Sequence, residues 1–202
     1  MHLVLLATLV VAMASAAPAP PASAPADLLA SLKAYEAAAN RHDWPAVRPL
    51  IAENAVIELG DDLSLVGREH ARALHDWERA MATETRYSDC TVSGEAVTCR
   101  ATEQNDFLRL SGLGPIEYTA STITFEKGQV ARMRATLSEH SAEVVTRYMQ
   151  PFLEWANTVE PKGVETFLKP DGSFAFGFDS AMAFKRLLRL YALTRGGGVR
   201  AL

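Results

Sequence analysis

Two cysteines set the tightest constraint on what this chain can fold into. In the segment Cys90-Thr-Val-Ser-Gly-Glu-Ala-Val-Thr-Cys99, Gly94 supplies the positive φ that opens a two-residue type II′ hairpin turn. With Gly94 and Glu95 as the turn, Ser93 faces Ala96, Val92 faces Val97, Thr91 faces Thr98 and Cys90 faces Cys99. Counted outward from the turn, the cysteines fall on a non-hydrogen-bonded pair. Cα atoms of such a pair lie about 4.5 Å apart, within disulfide reach. A metal site would need histidines nearby, and a redox pair would need a Cys-x-x-Cys spacing at a helix start; the sequence offers neither. The hairpin thus predicts a Cys90–Cys99 disulfide and, with it, an oxidising compartment.

The start of the chain agrees with that compartment. Residues 3–13 are apolar, and Ala14, Ser15 and Ala16 are the small residues of a cleavage site. The run is too short to span about 30 Å of hydrocarbon. A signal peptide over residues 1–16 is therefore expected, with export to the periplasm or beyond and no stable membrane anchor. Residues 17–26 carry Pro18, Pro20, Pro21 and Pro25 and read as an extended linker. The 202 residues, 49% hydrophobic, leave room for one core of good size. A net charge of −4, with the basic residues dispersed, argues against nucleic acid as a partner.

Hydrophobic periodicity then lays out an α+β domain. Residues 27–42 carry Leu28, Leu29, Leu32, Tyr35, Ala38 and Ala39 at helical spacing. Asp43 caps a short second helix with Pro45 in its first turn. A strand over 55–59 precedes the turn residues Gly60, Asp61 and Asp62, and Gly67 introduces a third helix to Met81. That helix buries Ala71, Leu74, Trp77, the stem of Glu78 and Met81. From there the period is two, and strands are expected over 84–93, 96–110, 116–126 and 129–137. Helices over 138–159, interrupted at Pro151, and over 180–194 close the chain, with an irregular segment between them. The expected architecture is a cone: a strongly bent antiparallel sheet wrapped around the N-terminal helices over 27–137, with a helical extension over 138–202.

The segments Ala34-Tyr-Glu-Ala-Ala-Ala-Asn-Arg-His-Asp43, Leu50-Ile-Ala-Glu-Asn-Ala-Val56, Val66-Gly-Arg-Glu69 and Phe125-Glu-Lys-Gly-Gln-Val-Ala-Arg-Met-Arg134 resemble the SnoaL-like, nuclear-transport-factor-2-like superfamily. The resemblance covers residues 29–137 and implies the cone fold, while the superfamily's chemistry varies widely. In its ketosteroid isomerases a tyrosine, an aspartate base and a neutral aspartic acid act together. Tyr35 matches the tyrosine, but Leu59 and Ser121 stand at the two acid positions, leaving Glu58 or Asp61 as displaced substitutes. In its limonene-epoxide hydrolases an Arg-x-Asp strand and a second aspartate act together. Asp106 matches the first acid, whereas Gln104 replaces the arginine and Ala135 the second aspartate.

Neither catalytic set is complete. The resemblance turns Gln104 and Asp106 toward the cone interior, with Asp106 and Tyr35 as candidate catalytic groups. Tyr35, Leu59, Trp77, Gln104, Asp106, Ser121, Met133 and Ala135 are the expected pocket. Glu103 and Asn105 then face outward, and Cys99 with them. His42, His70 and His75 lack a metal-ligand spacing, and no cofactor motif is present, so neither metal nor cofactor is expected. The leading expectation is an exported domain that binds a small, mostly apolar molecule without turnover. The alternatives are an isomerase, hydrolase or lyase using Asp106 with Tyr35, and a homodimeric interaction module.

Overall fold

The computed structural model describes residues 25–60 and 63–195. The expected signal peptide, most of the linker, and Asp61 with Asp62 lie outside those residues.

Helix α1 (Pro25–Asn40) turns Leu28, Leu32 and Ala38 inward, each buried. Asp43 caps α2 (Trp44–Val47) by accepting from the Ala46 N–H, and a 3₁₀ turn (Arg48–Leu50) leads into β1 (Ile51–Leu59). Next come β2 (Leu63–Val66), α3 (Arg68–Ala80), β3 (Glu84–Ser93) and β4 (Ala96–Gln104). A short α4 (Asp106–Ser111) follows, then β5 (Ile116–Glu126) and β6 (Gln129–Leu137). The chain ends in α5 (Glu139–Val159), α6 (Pro161–Glu165) and α7 (Phe178–Arg195).

The six strands form one curved, open sheet in the order β2-β1-β6-β5-β4-β3, antiparallel except where β1 runs parallel to β6. Register shifts interrupt four of its strand pairs, one of them beside Asp89 at a φ of 52°. Bulges of this kind increase local twist and bend a sheet, which gives the cone its curvature. The concave face receives α1: Leu28 and Leu32 pack on Val97, Cys99, Ile123, Phe125 and Val130. Cys90 and Cys99 are bonded, with Cα atoms 4.1 Å apart and the hairpin register the sequence predicts.

Three expectations are corrected and one strand is added. The second long strand stops at Gln104, because Asn105 accepts the Leu108 N–H at 3.0 Å and starts α4, which Gly112 closes in the left-handed conformation. Residues 63–66, which the sequence left unassigned between the turn and the third helix, form an edge strand beside β1. Pro151 does not interrupt α5, which runs through it from Glu139 to Val159; the residue four positions earlier, whose carbonyl loses its partner there, is the exposed Arg147. The faces of β4 are also the reverse of those expected. Val97, Cys99 and Ala101 point inward and are buried, while Arg100 and Thr102 are exposed.

Helices α5 to α7 do not hang free of the cone. Phe152, Phe167, Phe184, Leu187 and Leu188 share a core with Ala80 and Met81 behind α3, with Phe107 and Leu108 of α4, and with Ile116 of β5. Lys185 of α7 bonds the Ala80 carbonyl at 3.0 Å and forms an ion pair with Asp106.

Candidate functional site

Between α1, α3 and the concave face of the sheet lies a cavity of about 80 Å³. That is roughly half the volume of a dry 150 Å³ cavity that holds benzene. Ile57, Leu59, Leu74, Met133 and Ala135 make its apolar walls. Tyr35 and Glu36 enter it from α1, Glu78 from α3, Tyr87 from β3, Glu103 from β4 and Tyr118 from β5. Asn40 fixes one wall: its side chain accepts from the Thr85 N–H at 2.9 Å and donates to the Thr85 carbonyl at 2.8 Å.

The two interior carboxyls live in unequal surroundings. Glu103 accepts a hydrogen bond from the Tyr118 hydroxyl at 2.8 Å and one from the Asn105 amide at 2.8 Å. Burial raises its pKa, and these two donors pull it part of the way back. Glu78 has no such help among the described residues. Burial first, and the neighbouring Glu103 charge second, push its pKa up to about 8. In the pair Glu103 is thus the stronger acid, and Glu78 is the group that keeps a proton at neutral pH. The phenols of Tyr35, Tyr87 and Tyr118 are all raised, chiefly by burial and then by nearby groups that include Glu78 or Glu103. They remain hydrogen-bond donors throughout the physiological range.

Of the residues expected in the pocket, Tyr35, Leu59, Ser121, Met133 and Ala135 line the cavity, and three do not. Trp77 faces the other side of α3, stacked on Phe184 with centroids 5.6 Å apart and edge-on to Phe174 and Phe176. Gln104 folds its side-chain oxygen back onto the Asn105 N–H at 3.0 Å. Asp106 stands on α4, bonded to Arg109 at 2.9 Å and paired with Lys185. Burial raises its pKa, but those two cations outweigh burial and hold it below the usual carboxylate value. An Asp106–Tyr35 acid–base set is therefore not assembled. Glu58 is no substitute, since it pairs with Arg132 at 2.8 Å outside the cavity.

The sequence turns Glu103 outward on the expected frame, assigns no role to Tyr87 or Tyr118, and buries only the stem of Glu78. A signal for Glu103 existed. Val97, Cys99, Ala101 and Glu103 occupy alternate positions of β4, and three of the four are apolar. A carboxyl closing an apolar face marks a site, whereas the resemblance shifted the frame by one residue and selected Gln104 and Asp106.

No protein-family model and no curated protein sequence matches the chain. Solved structures do. A SnoaL-like polyketide cyclase from Jannaschia sp. is 17% identical with a TM-score of 0.50, over 62% of this chain and 96% of its own. SalBIII, an epoxide hydrolase/cyclase-like enzyme of pyran ring formation in salinomycin, is 16% identical with a TM-score of 0.51, over 57% and 94%. The fold is SnoaL-like. A cystatin-like-fold protein of unknown function from Methylobium petroleophilum, 12% identical, has a TM-score of 0.50 over 59% and 80%. At these identities the likeness establishes the SnoaL-like cone and is silent on chemistry. Among the described residues no cluster of His, Cys, Asp and Glu could hold a metal, and no helix is long and apolar enough to cross a membrane.

Proposed function

We propose that the cone binds one small, mostly apolar molecule by a polar group set between Glu78 and Glu103. The observation that carries this is Glu78 itself. Its half-buried carboxyl faces the cavity without a hydrogen bond to any described residue, which leaves it to bond water or a ligand there. A ligand group supplies that bond. The void is large enough for roughly three to five non-hydrogen atoms, so a bulkier ligand would insert only its polar end. The disulfide and the expected signal peptide support action outside the cytoplasm.

One observation favours a second reading, in which the site moves protons. Two carboxyls of unequal acidity facing one cavity can serve as the acid and base of general acid–base catalysis, with Glu78 donating and Glu103 accepting. The homodimer reading has no comparable support. Phe107 lies on α4 rather than on a free sheet face, and the chain's own Tyr148 and Phe184 cover it at 5.7 and 6.0 Å.

Native mass spectrometry of protein purified from its own host tests the binding reading. Wild-type protein should carry a small molecule that Glu78→Leu loses while remaining folded. Retention of the same molecule by Glu78→Leu would contradict it. Conversion of that molecule during incubation, abolished in Glu103→Gln, would select the proton-transfer reading.

A further inference from the structure

We infer that the ligand of this cone is a small organic cation, an amine or ammonium group on a short apolar body. The inference rests on the binding reading above and adds the ligand's class. Among the described residues every ionisable group that lines the cavity is acidic or phenolic: Glu36, Glu78 and Glu103, with Tyr35, Tyr87 and Tyr118. No lysine, arginine or histidine of the described residues lines it. The imbalance is local, since the chain as a whole is nearly neutral for its size, with 20 basic and 24 acidic residues. Arginines are plentiful nearby in sequence, yet the fold directs them elsewhere. Arg72 and Arg79, on the same helix as Glu78, turn to Asp76, and Arg100 on β4 turns to Glu117.

An anion would meet three carboxyls and no counter-charge, so burial there would be opposed by both desolvation and repulsion. A neutral alcohol could bond Glu78 or a phenol but would bring no charge to a lining whose ionisable groups are carboxyls and phenols. An ammonium group answers each feature of the site. It brings three donors for carboxyl oxygens, a charge opposite to that of an ionised carboxyl, and an attraction to the electron-rich faces of tyrosine rings. The walls of Ile57, Leu59, Leu74 and Met133 then take the alkyl part.

Proton linkage supplies a signature that a neutral ligand would lack. In the empty site Glu78 keeps a proton until about pH 8. A bound cation favours the ionised form and expels that proton, so affinity should rise with pH up to that point.

The test is calorimetric titration of the mature, disulfide-bonded protein with three probes that share one four-carbon skeleton: isobutylamine, isobutanol and isobutyrate. We expect isobutylamine to bind at least tenfold more tightly than isobutanol at pH 7.5, and isobutyrate not to bind. Affinity for the amine should rise several-fold from pH 6 to pH 8 in wild-type protein, and stay level in Glu78→Gln. Isobutanol binding as tightly as the amine, or isobutyrate binding best, would overturn the cationic class and leave small-molecule binding standing. Binding of none of the three would overturn both.

Discussion

The two halves of this molecule use aromatic and ionisable residues in opposite ways. Behind α3, helices α4 to α7 pack Phe152, Phe167, Phe184 and Tyr191 ring against ring, with centroids 5.0 to 5.6 Å apart. Charged groups there stay at the margin and are paired, as Lys185 is with Asp106 and Arg186 with Glu160. In front of α3 the cone leaves a void and points tyrosines and carboxyls into it. One helix divides the two regions, with Trp77 facing the filled side and Glu78 the hollow one. A filled core maximises stability, whereas a hollow lined with unpaired acid gives some stability up for a binding site.

The comparison breaks most visibly at Phe152, which is fully buried. Phe152→Ala should cost about 3–5 kcal/mol in chemical denaturation. If the two sides are independent, it should also leave amine binding by the cone unchanged. An equal loss of binding would mean that the hollow relies on the filled core for its shape.

The next effect is one of pH. Glu78 has a folded-state pKa of about 8 against an ordinary 4.5. Its contribution to stability is thus complete below about pH 4.5 and is lost as pH rises through 8, with a slope of up to about 1.4 kcal/mol per pH unit. His42 and His75 act in the opposite sense, both lowered chiefly by burial. Their contribution is complete above pH 6.5 and is lost as pH falls through their lowered values. Between pH 6.5 and 8 the histidine contribution is complete, and raised carboxyls, Glu78 foremost, set the slope. The wild-type Tm should fall across that window, and Glu78→Gln should flatten the fall.

Reducing the disulfide opens a loop of about ten residues and should cost about 2–3 kcal/mol. Neither sulfur lines the cavity, although Cys99 shares the inward face of β4. Binding by reduced but folded protein should therefore persist, as equilibrium titration would show. The smallest effect is expected at Asp106. Asp106→Asn should lower stability by about 1 kcal/mol through its lost pair with Lys185 and leave ligand affinity unchanged. A large loss of affinity would restore Asp106 to the site and displace Glu103 from it.

The features legible in the sequence are those set by local chemistry. The hairpin register from Cys90 to Cys99 followed from one glycine and the strand period. The Asp43 cap and the inward stripe of α1 followed from equally short patterns. The cone fold was legible from motif resemblance, because its turns and helix starts recur. The site was less so, since it depends on which residues of β4 face inward, and a shift of one residue exchanges the two faces. Asn105 and Gly112 carry the cap signals that end β4 and bound α4, and those signals place Asp106 on the helix rather than the strand. That Glu78 and Glu103 face one cavity depends on the packing of α3 against a bent sheet, which no local pattern encodes.

The central claim is that a carboxyl inside the cone keeps its proton at neutral pH. A carbon-13 NMR titration of the Glu78 side-chain carboxyl, assigned by comparison with Glu78→Gln, measures this directly. A midpoint of about 8 is expected. A midpoint near 4.5, the ordinary value for a solvated glutamate, would contradict the account.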